Sequence, residues 1–101
     1  MSSKTSEVYK VVSDIPKGKV MTYGQIGEIL SMNPRLVGRI LHENPDPETV
    51  PCHRVVNSRG EVAEKYAFGG GDAQRQKLKQ EGVEFVGNRV NIEKSFYKRN
   101  H

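Results

Sequence analysis

Ser31-Met32-Asn33-Pro34-Arg35-Leu36-Val37-Gly38-Arg39-Ile40-Leu41-His42 decides how this chain folds. Ser31-Met32-Asn33 is a short turn, and Asn33-Pro34 is an N-cap followed by proline at the first helical position. The helix predicted over 34–42 has two faces. Leu36, Val37, Ile40 and Leu41 make the apolar one. Arg35, Gly38, Arg39 and His42 fall at i, i+3, i+4, i+7 on the other. A glycine inside a helix costs about 1 kcal/mol against alanine, so close approach of another backbone would be its compensation. Upstream, Thr22-Tyr23-Gly24-Gln25 has the form of a capping box. It starts a helix over 23–30 with Ile26, Ile29 and Leu30 inward and Tyr23 in its first turn. Two helices joined by a short turn, the second with a basic outer face, is a helix-turn-helix pattern. The plain alternatives are a solvated basic face and a half-buried core tyrosine.

Farther out, Val8, Val11, Val12 and Ile15 repeat as one apolar stripe and predict a first helix over 5–15, stopped by Pro16-Lys17-Gly18. Downstream, the proline-punctuated loop Asn44-Pro45-Asp46-Pro47 leads to Val50-Pro51-Cys52-His53-Arg54-Val55-Val56. A thiol must lose its proton to become a nucleophile, and adjacent imidazole or guanidinium groups favour the thiolate. This heptapeptide offers one of each, beside the only cysteine in the chain, on a bend stiffened by Pro51. The competing reading is a small buried hydrophobe. Val55-Val56 reads as a strand and Asn57-Ser58-Arg59-Gly60 as a turn. Residues 61–71 are expected as a loop ending in Gly69-Gly70-Gly71.

Asp72 is placed as the cap of a last helix to Glu81, closed by Gly82. Gln74, Leu78 and Glu81 share a face there, and Leu78 forces that face inward. If buried, Glu81 therefore needs a partner; His53 is one candidate, and the alternatives are a nearby arginine or plain exposure at the helix end. Residues 83–86 and 89–92 flank Gly87-Asn88 as a β-hairpin, and the polar tail 93–101 is expected to be loosely ordered. The elements predict a single domain over 1–101, mainly α with short β-hairpins, a winged-helix-like helix-turn-helix fold.

Bulk properties narrow the function. One cysteine excludes an internal disulfide and fits a reducing compartment, cytoplasmic or, in a eukaryote, nuclear. No apolar run is long enough to cross a membrane. The histidines and cysteine, at 42, 52, 53 and 101, match no metal-site spacing, so neither metal nor cofactor is expected. The net charge of +4 and pI near 9.3 suit an anionic partner such as nucleic acid.

Taken together, the motifs resemble the C-terminal, active-site domain of the O6-alkylguanine-DNA alkyltransferase family. They are Pro51-Cys52-His53-Arg54-Val55, Val20-Met21-Thr22-Tyr23-Gly24-Gln25-Ile26, Arg35-Leu36-Val37-Gly38, Asn44-Pro45 and Glu81-Gly82, in family order over about Val8 to Val90. The resemblance implies a single-turnover methylated-DNA–protein-cysteine methyltransferase, consumed in DNA repair. Cys52 would accept the alkyl group from the O6 of a flipped guanine. His53 would act through a water as its base, Glu81 would orient His53, and Tyr23 would rotate the nucleotide and protonate the departing guanine. Arg35 would fill the gap in the base stack, and Gly38, Arg39 and His42 would face DNA in the minor groove. Asn44 would tie the helix to the active-site segment, beside Arg54, and main-chain groups of Cys52 and Val55 would hold the guanine edge. The implied partner is double-stranded DNA containing O6-alkylguanine, met by a monomer with no membrane. The family's N-terminal domain is not expected in this chain, and its Tyr-Ser-Gly-Gly pocket segment is replaced by Ala67-Phe68-Gly69-Gly70, with Tyr66 nearby. The length and the Gln-rich last helix also look like the alkyltransferase-like proteins, which sense lesions without transfer. A helix-turn-helix regulator with an incidental cysteine is the remaining reading.

Overall fold

Helices α2 (Tyr23–Leu30) and α3 (Pro34–His42) form the helix-turn-helix in the computed structural model, which describes residues 3–63 and 69–98. Both begin where their caps place them. Thr22 Oγ1 accepts the Gln25 N–H at 3.0 Å, and Asn33 Oδ1 accepts the Arg35 N–H at 2.8 Å. The reciprocal half of the expected capping box does not form: Gln25 Oε1 accepts no hydrogen bond among the described residues, while Nε2 donates to the Tyr97 carbonyl at 2.9 Å. Ser31 turns the chain in the left-handed region, at φ 54°, and the Met32 N–H returns to the Gly27 carbonyl at 2.8 Å. Gly27 is what allows so close a return, since a Cβ there would run into the Met32 carbonyl oxygen.

Helix α1 (Ser3–Ser13) starts and stops two residues before the expected bounds. Ile15 is nevertheless buried, carried inward by the turn after the helix, where its N–H bonds the Val12 carbonyl at 3.1 Å. Val8, Val11, Val12 and Ile15 pack with Ile26, Val37, Ile40 and Leu41 as the main core, which also takes in Val50, Cys52 and Val55.

Strand β1 (Met21–Thr22) pairs in parallel with β2 (Val55–Val56), Met21 against Val55 and Thr22 against Val56. The expected helix cap at Thr22 is thus also a strand end. This pairing sets the first turn of α2 beside the segment that follows Cys52. Helix α4 (Gly70–Gln80) begins at Gly70, not at an Asp72 cap: Gly69 precedes it at φ 117°, and Asp72 lies in the first turn, ion-paired with Arg75. Gly71 is therefore helical, not loop, while Gly70 opens the helix with its own backbone left-handed, at φ 78°. Leu78 is fully buried and packs with Val20, Val56, Val62, Val83 and Val90 as a second core. Gly82, at φ 90°, closes the helix with the Val83 N–H on the Leu78 carbonyl at 3.0 Å.

Strands β3 (Phe85–Val86) and β4 (Arg89–Val90) form the expected antiparallel hairpin, which docks on the 57–60 turn as the Val90 N–H meets the Gly60 carbonyl at 2.8 Å. The segment after it is held, not loose as expected. A short helix α5 (Ile92–Ser95) is capped by Asn91, Ser95 is buried, and Val20 exchanges 2.8 Å bonds with Ser95 and Tyr97. Residues 99–101 of the expected loose tail, and Tyr66, Ala67 and Phe68 of the expected pocket segment, lie outside the described residues. Among the described residues no helix is long and apolar enough to cross a membrane.

Candidate active site and nucleic-acid interface

Cys52, His53 and Arg54 form one turn of 3-10 helix between the proline loop and β2. The turn closes through Arg54 N–H to the Pro51 carbonyl at 2.9 Å. Asn44, 3% exposed, anchors the approach: its Nδ2 donates to the Val50 carbonyl at 2.8 Å, and its Oδ1 accepts from Asp46 at 3.1 Å. The same Val50 carbonyl takes the Cys52 N–H at 2.7 Å. The end of α3 and the cysteine turn thus share one backbone oxygen. Cys52 is 6% exposed and packs as part of the main core.

Glu81, at the end of α4, reaches two partners at once. Its Oε2 lies 2.9 Å from His53 Nε2, and Arg54 donates Nε to Oε1 at 2.9 Å and Nη2 to Oε2 at 2.7 Å. Arg54 Nη1 continues to the Ile15 carbonyl at 2.7 Å. Both candidate partners for the inner carboxylate are therefore used. Burial works against the Glu81 charge, but the hydrogen bonds and charges of Arg54 and His53 outweigh it and hold the carboxyl below its ordinary range. For His53, burial lowers the pKa first. Glu81 opposes that, Arg54 and Lys77 add to it, and the ring stays neutral at pH 7.

An ionised carboxylate only accepts, so His53 Nε2 carries the ring proton and Nδ1 is left with a lone pair. That Nδ1 is buried and has no hydrogen-bond partner among the described residues. A neutral imidazole with one nitrogen fixed and the other open has the form of a general base. Behind it, a cavity of about 550 Å³ touches His53, Arg54, Glu81, Lys17 and Lys77.

Tyr23, half-buried at the start of α2, lies near enough to the cysteine to feel its charge. Its phenol pKa is raised, first by burial and then by the negative charge a Cys52 thiolate would place nearby. The Tyr23 ring lies against Gly38, where a Cβ would sit 3.8 Å from it. A second cavity, about 430 Å³, is lined by Tyr23 and Gly24 of α2, Arg35 and Gly38 of α3, and Asn57 and Ser58. Arg35, Arg39 and His42 are all exposed along α3. Arg35 borders this cavity, while Arg39 and His42 continue the same face away from it. Val55 sits in β2.

The structure therefore gathers Cys52, His53, Arg54, Glu81 and Tyr23 into one centre, with Asn44 behind it and Arg35 and Gly38 at its edge. Asn57 and Ser58 join the cavity wall without any periodicity that marks them. Tyr9 also borders the cysteine, its phenol raised by burial and then by the charges of Glu43 and Cys52. Its place in the first helix marks only core packing. Among the described residues no three acidic, histidine or cysteine side chains cluster as a metal site.

A family model described as the DNA binding domain of 6-O-methylguanine DNA methyltransferase matches residues 3–83. Alkyltransferase-like protein 1 of Schizosaccharomyces pombe is 43% identical over 82 residues, covering 78% of this chain and 75% of that protein. A methylated-DNA–protein-cysteine methyltransferase of Saccharolobus islandicus is 41% identical over 83 residues, and this chain spans about half that relative, 50% of its length. Among solved structures, S. pombe Atl1 in complex with damaged DNA containing O6-carboxymethylguanine superposes with a TM-score of 0.81 at 32% identity, covering 98% of this chain and 100% of that one. With the cysteine turn, the histidine–glutamate pair and the helix-turn-helix in place, the chain belongs to the family of the 6-O-methylguanine DNA methyltransferase DNA-binding domain.

Proposed function

We propose that the chain repairs DNA by taking the alkyl group of an O6-alkylguanine onto Cys52. The observation that carries this reading is the His53 ring, directly after the cysteine, held through Nε2 on Glu81 with Nδ1 unpartnered among the described residues. The step balances simply. The thiol proton passes to His53 through a water, and the sulfur attacks the alkyl carbon. The carbon–O6 bond breaks as the carbon–sulfur bond forms, and the Tyr23 hydroxyl protonates the leaving guanine. A phenol with a raised pKa holds its proton until that moment. Solvent then restores the Tyr23 proton and takes the one on His53. The product is a thioether that no group here can cleave, so each molecule acts once.

Cys52 lies almost wholly inside the fold, so a guanine must leave the duplex to meet it, at a cost of a few kcal/mol. Arg35 beside the Tyr23 cavity has the reach to fill the gap in the stack. Gly38 lets the backbone of α3 approach the minor groove.

The test is incubation with duplex DNA containing O6-methylguanine, followed by intact-protein and peptide mass measurement. A gain of one methyl group on Cys52, absent in Cys52→Ala while lesion binding persists, is the expected result. Tight lesion binding with no mass gain would replace transfer by sensing. That second reading is favoured by the likeness to Atl1 over nearly the full chain. Binding that follows sequence and ignores the lesion would leave only a helix-turn-helix regulator.

A further inference from the structure

Gln74 is 1% exposed, on the inner face of α4 two turns before Glu81. Its amide is used from both ends. Oε1 accepts the Ala63 N–H at 2.9 Å, and Nε2 donates to the carbonyls of His53 and Val55, both at 3.0 Å. These two carbonyls flank Arg54 and bracket the end of the cysteine turn. A single 3-10 turn has little rigidity of its own, and buried carbonyls must find donors. Helix α4 thus grips the turn twice, Glu81 through the side chains of His53 and Arg54 and Gln74 through the backbone that carries them.

We propose that Gln74 is a positioning residue for Cys52 and His53, fixing the backbone of the turn so that the imidazole meets Glu81 and the sulfur in one geometry. This rests on the transfer reading above, and it goes beyond it by giving the reaction a residue that touches neither substrate nor sulfur. Proton transfer and displacement depend steeply on such placement: a misplacement near 1 Å changes rates by about 10²-fold.

Two substitutions separate positioning from packing. Gln74→Met keeps length and apolar volume but leaves both carbonyls and the Ala63 amide without their partner. Gln74→Lys keeps a donor for the two carbonyls but gives up Ala63 and buries an ammonium, so its stability falls as well. For each variant, three things would be measured: single-turnover methyl transfer from an O6-methylguanine duplex, thermal unfolding, and the His53 tautomer in the free protein by long-range nitrogen–proton NMR. Wild type is expected to show the Nε2–H tautomer alone. Gln74→Met should give a tautomer mixture and a transfer rate lower by about 10²-fold, with lesion affinity close to wild type. Gln74→Lys should keep the single tautomer and most of the rate.

A Gln74→Met protein with the wild-type tautomer would overturn the proposal. So would two variants whose rates fall only in step with lost stability. If Gln74→Lys does not fold, Gln74→Met decides alone. If wild type takes no methyl group, the transfer reading falls, while the tautomer comparison still decides the role of Gln74.

Discussion

Glu81 serves a neutral ring and a cation with the same oxygen, and that sharing makes its removal informative. Its side chain and that of Arg54 are 13% and 14% exposed. Without the carboxylate, the Arg54 guanidinium keeps only the Ile15 carbonyl among its bonds described above. Stranding one partner of a part-buried pair costs about 1–3 kcal/mol. Glu81→Ala should therefore lower the denaturation free energy by that order with an unchanged denaturant slope, and Glu81→Gln by less. Equal, near-zero effects in urea melts would mean the triad is ornamental to stability.

The same residues set the pH response. His53 lies below its ordinary 6.5 in the fold, so as pH falls through 6.5 the unfolded chain gains a proton that the native ring resists. Glu81 lies below its ordinary 4.5 and acts in the same sense at lower pH. Stability should thus decline as pH drops from 7 toward 5. His53→Gln should flatten that upper part of the curve, while the part below 4.5 persists in weaker form through the Arg54 bonds to Glu81. A wild-type denaturation midpoint that rises over this interval would reverse the sign assigned to His53.

At the scale of elements, the helix-turn-helix depends on one close backbone return. Gly27, buried in α2, lies under Met32 and Pro34, and a methyl group there has nowhere to go but against the Met32 carbonyl. Gly27→Ala would improve helix propensity by about 1 kcal/mol in an exposed helix. Here the clash should dominate, for a net loss of about 1–3 kcal/mol. A calorimetric scan showing a raised Tm would refute this packing.

The two helices at this turn were legible because their caps are local chemistry: Thr22 and Asn33 bond within three residues of themselves. The inward face of α4 was legible because Leu78 alone could drive it. What periodicity cannot show is pairing at long range. The strand at Met21–Thr22 exists through Val55–Val56, and the ordered tail exists through Val20. The start of α4 uses two glycines at positive φ, Gly69 and Gly70, a backbone turn that composition alone does not distinguish from a loop. The site followed the same division. Cysteine, histidine and glutamate carry their types openly, but Glu81 meeting both His53 and Arg54, and Gln74 meeting the turn, arise only when α4 is docked.

At the scale of the whole molecule, a net charge of +4 spread over 101 residues sets only a modest attraction to DNA, so placement must decide how it is used. Arg35, Arg39 and His42 lie exposed on one side of α3, with Val37, Ile40 and Leu41 buried on the other. On the proposed reading they divide the work. Arg39 neutralises a phosphate, which releases counterions and holds any duplex, damaged or not. Arg35 enters the stack and acts only where a base has left it. Titrations of plain and O6-methylguanine duplexes over a range of salt should separate the two. Arg39→Ala should weaken both duplexes alike and reduce the slope of log K against log salt by about 1. Arg35→Ala should weaken the damaged duplex more than the plain one, while Lys4→Ala on α1 should change little. Equal losses on both duplexes for Arg35→Ala would place this residue among the phosphate contacts and leave base extrusion without its wedge.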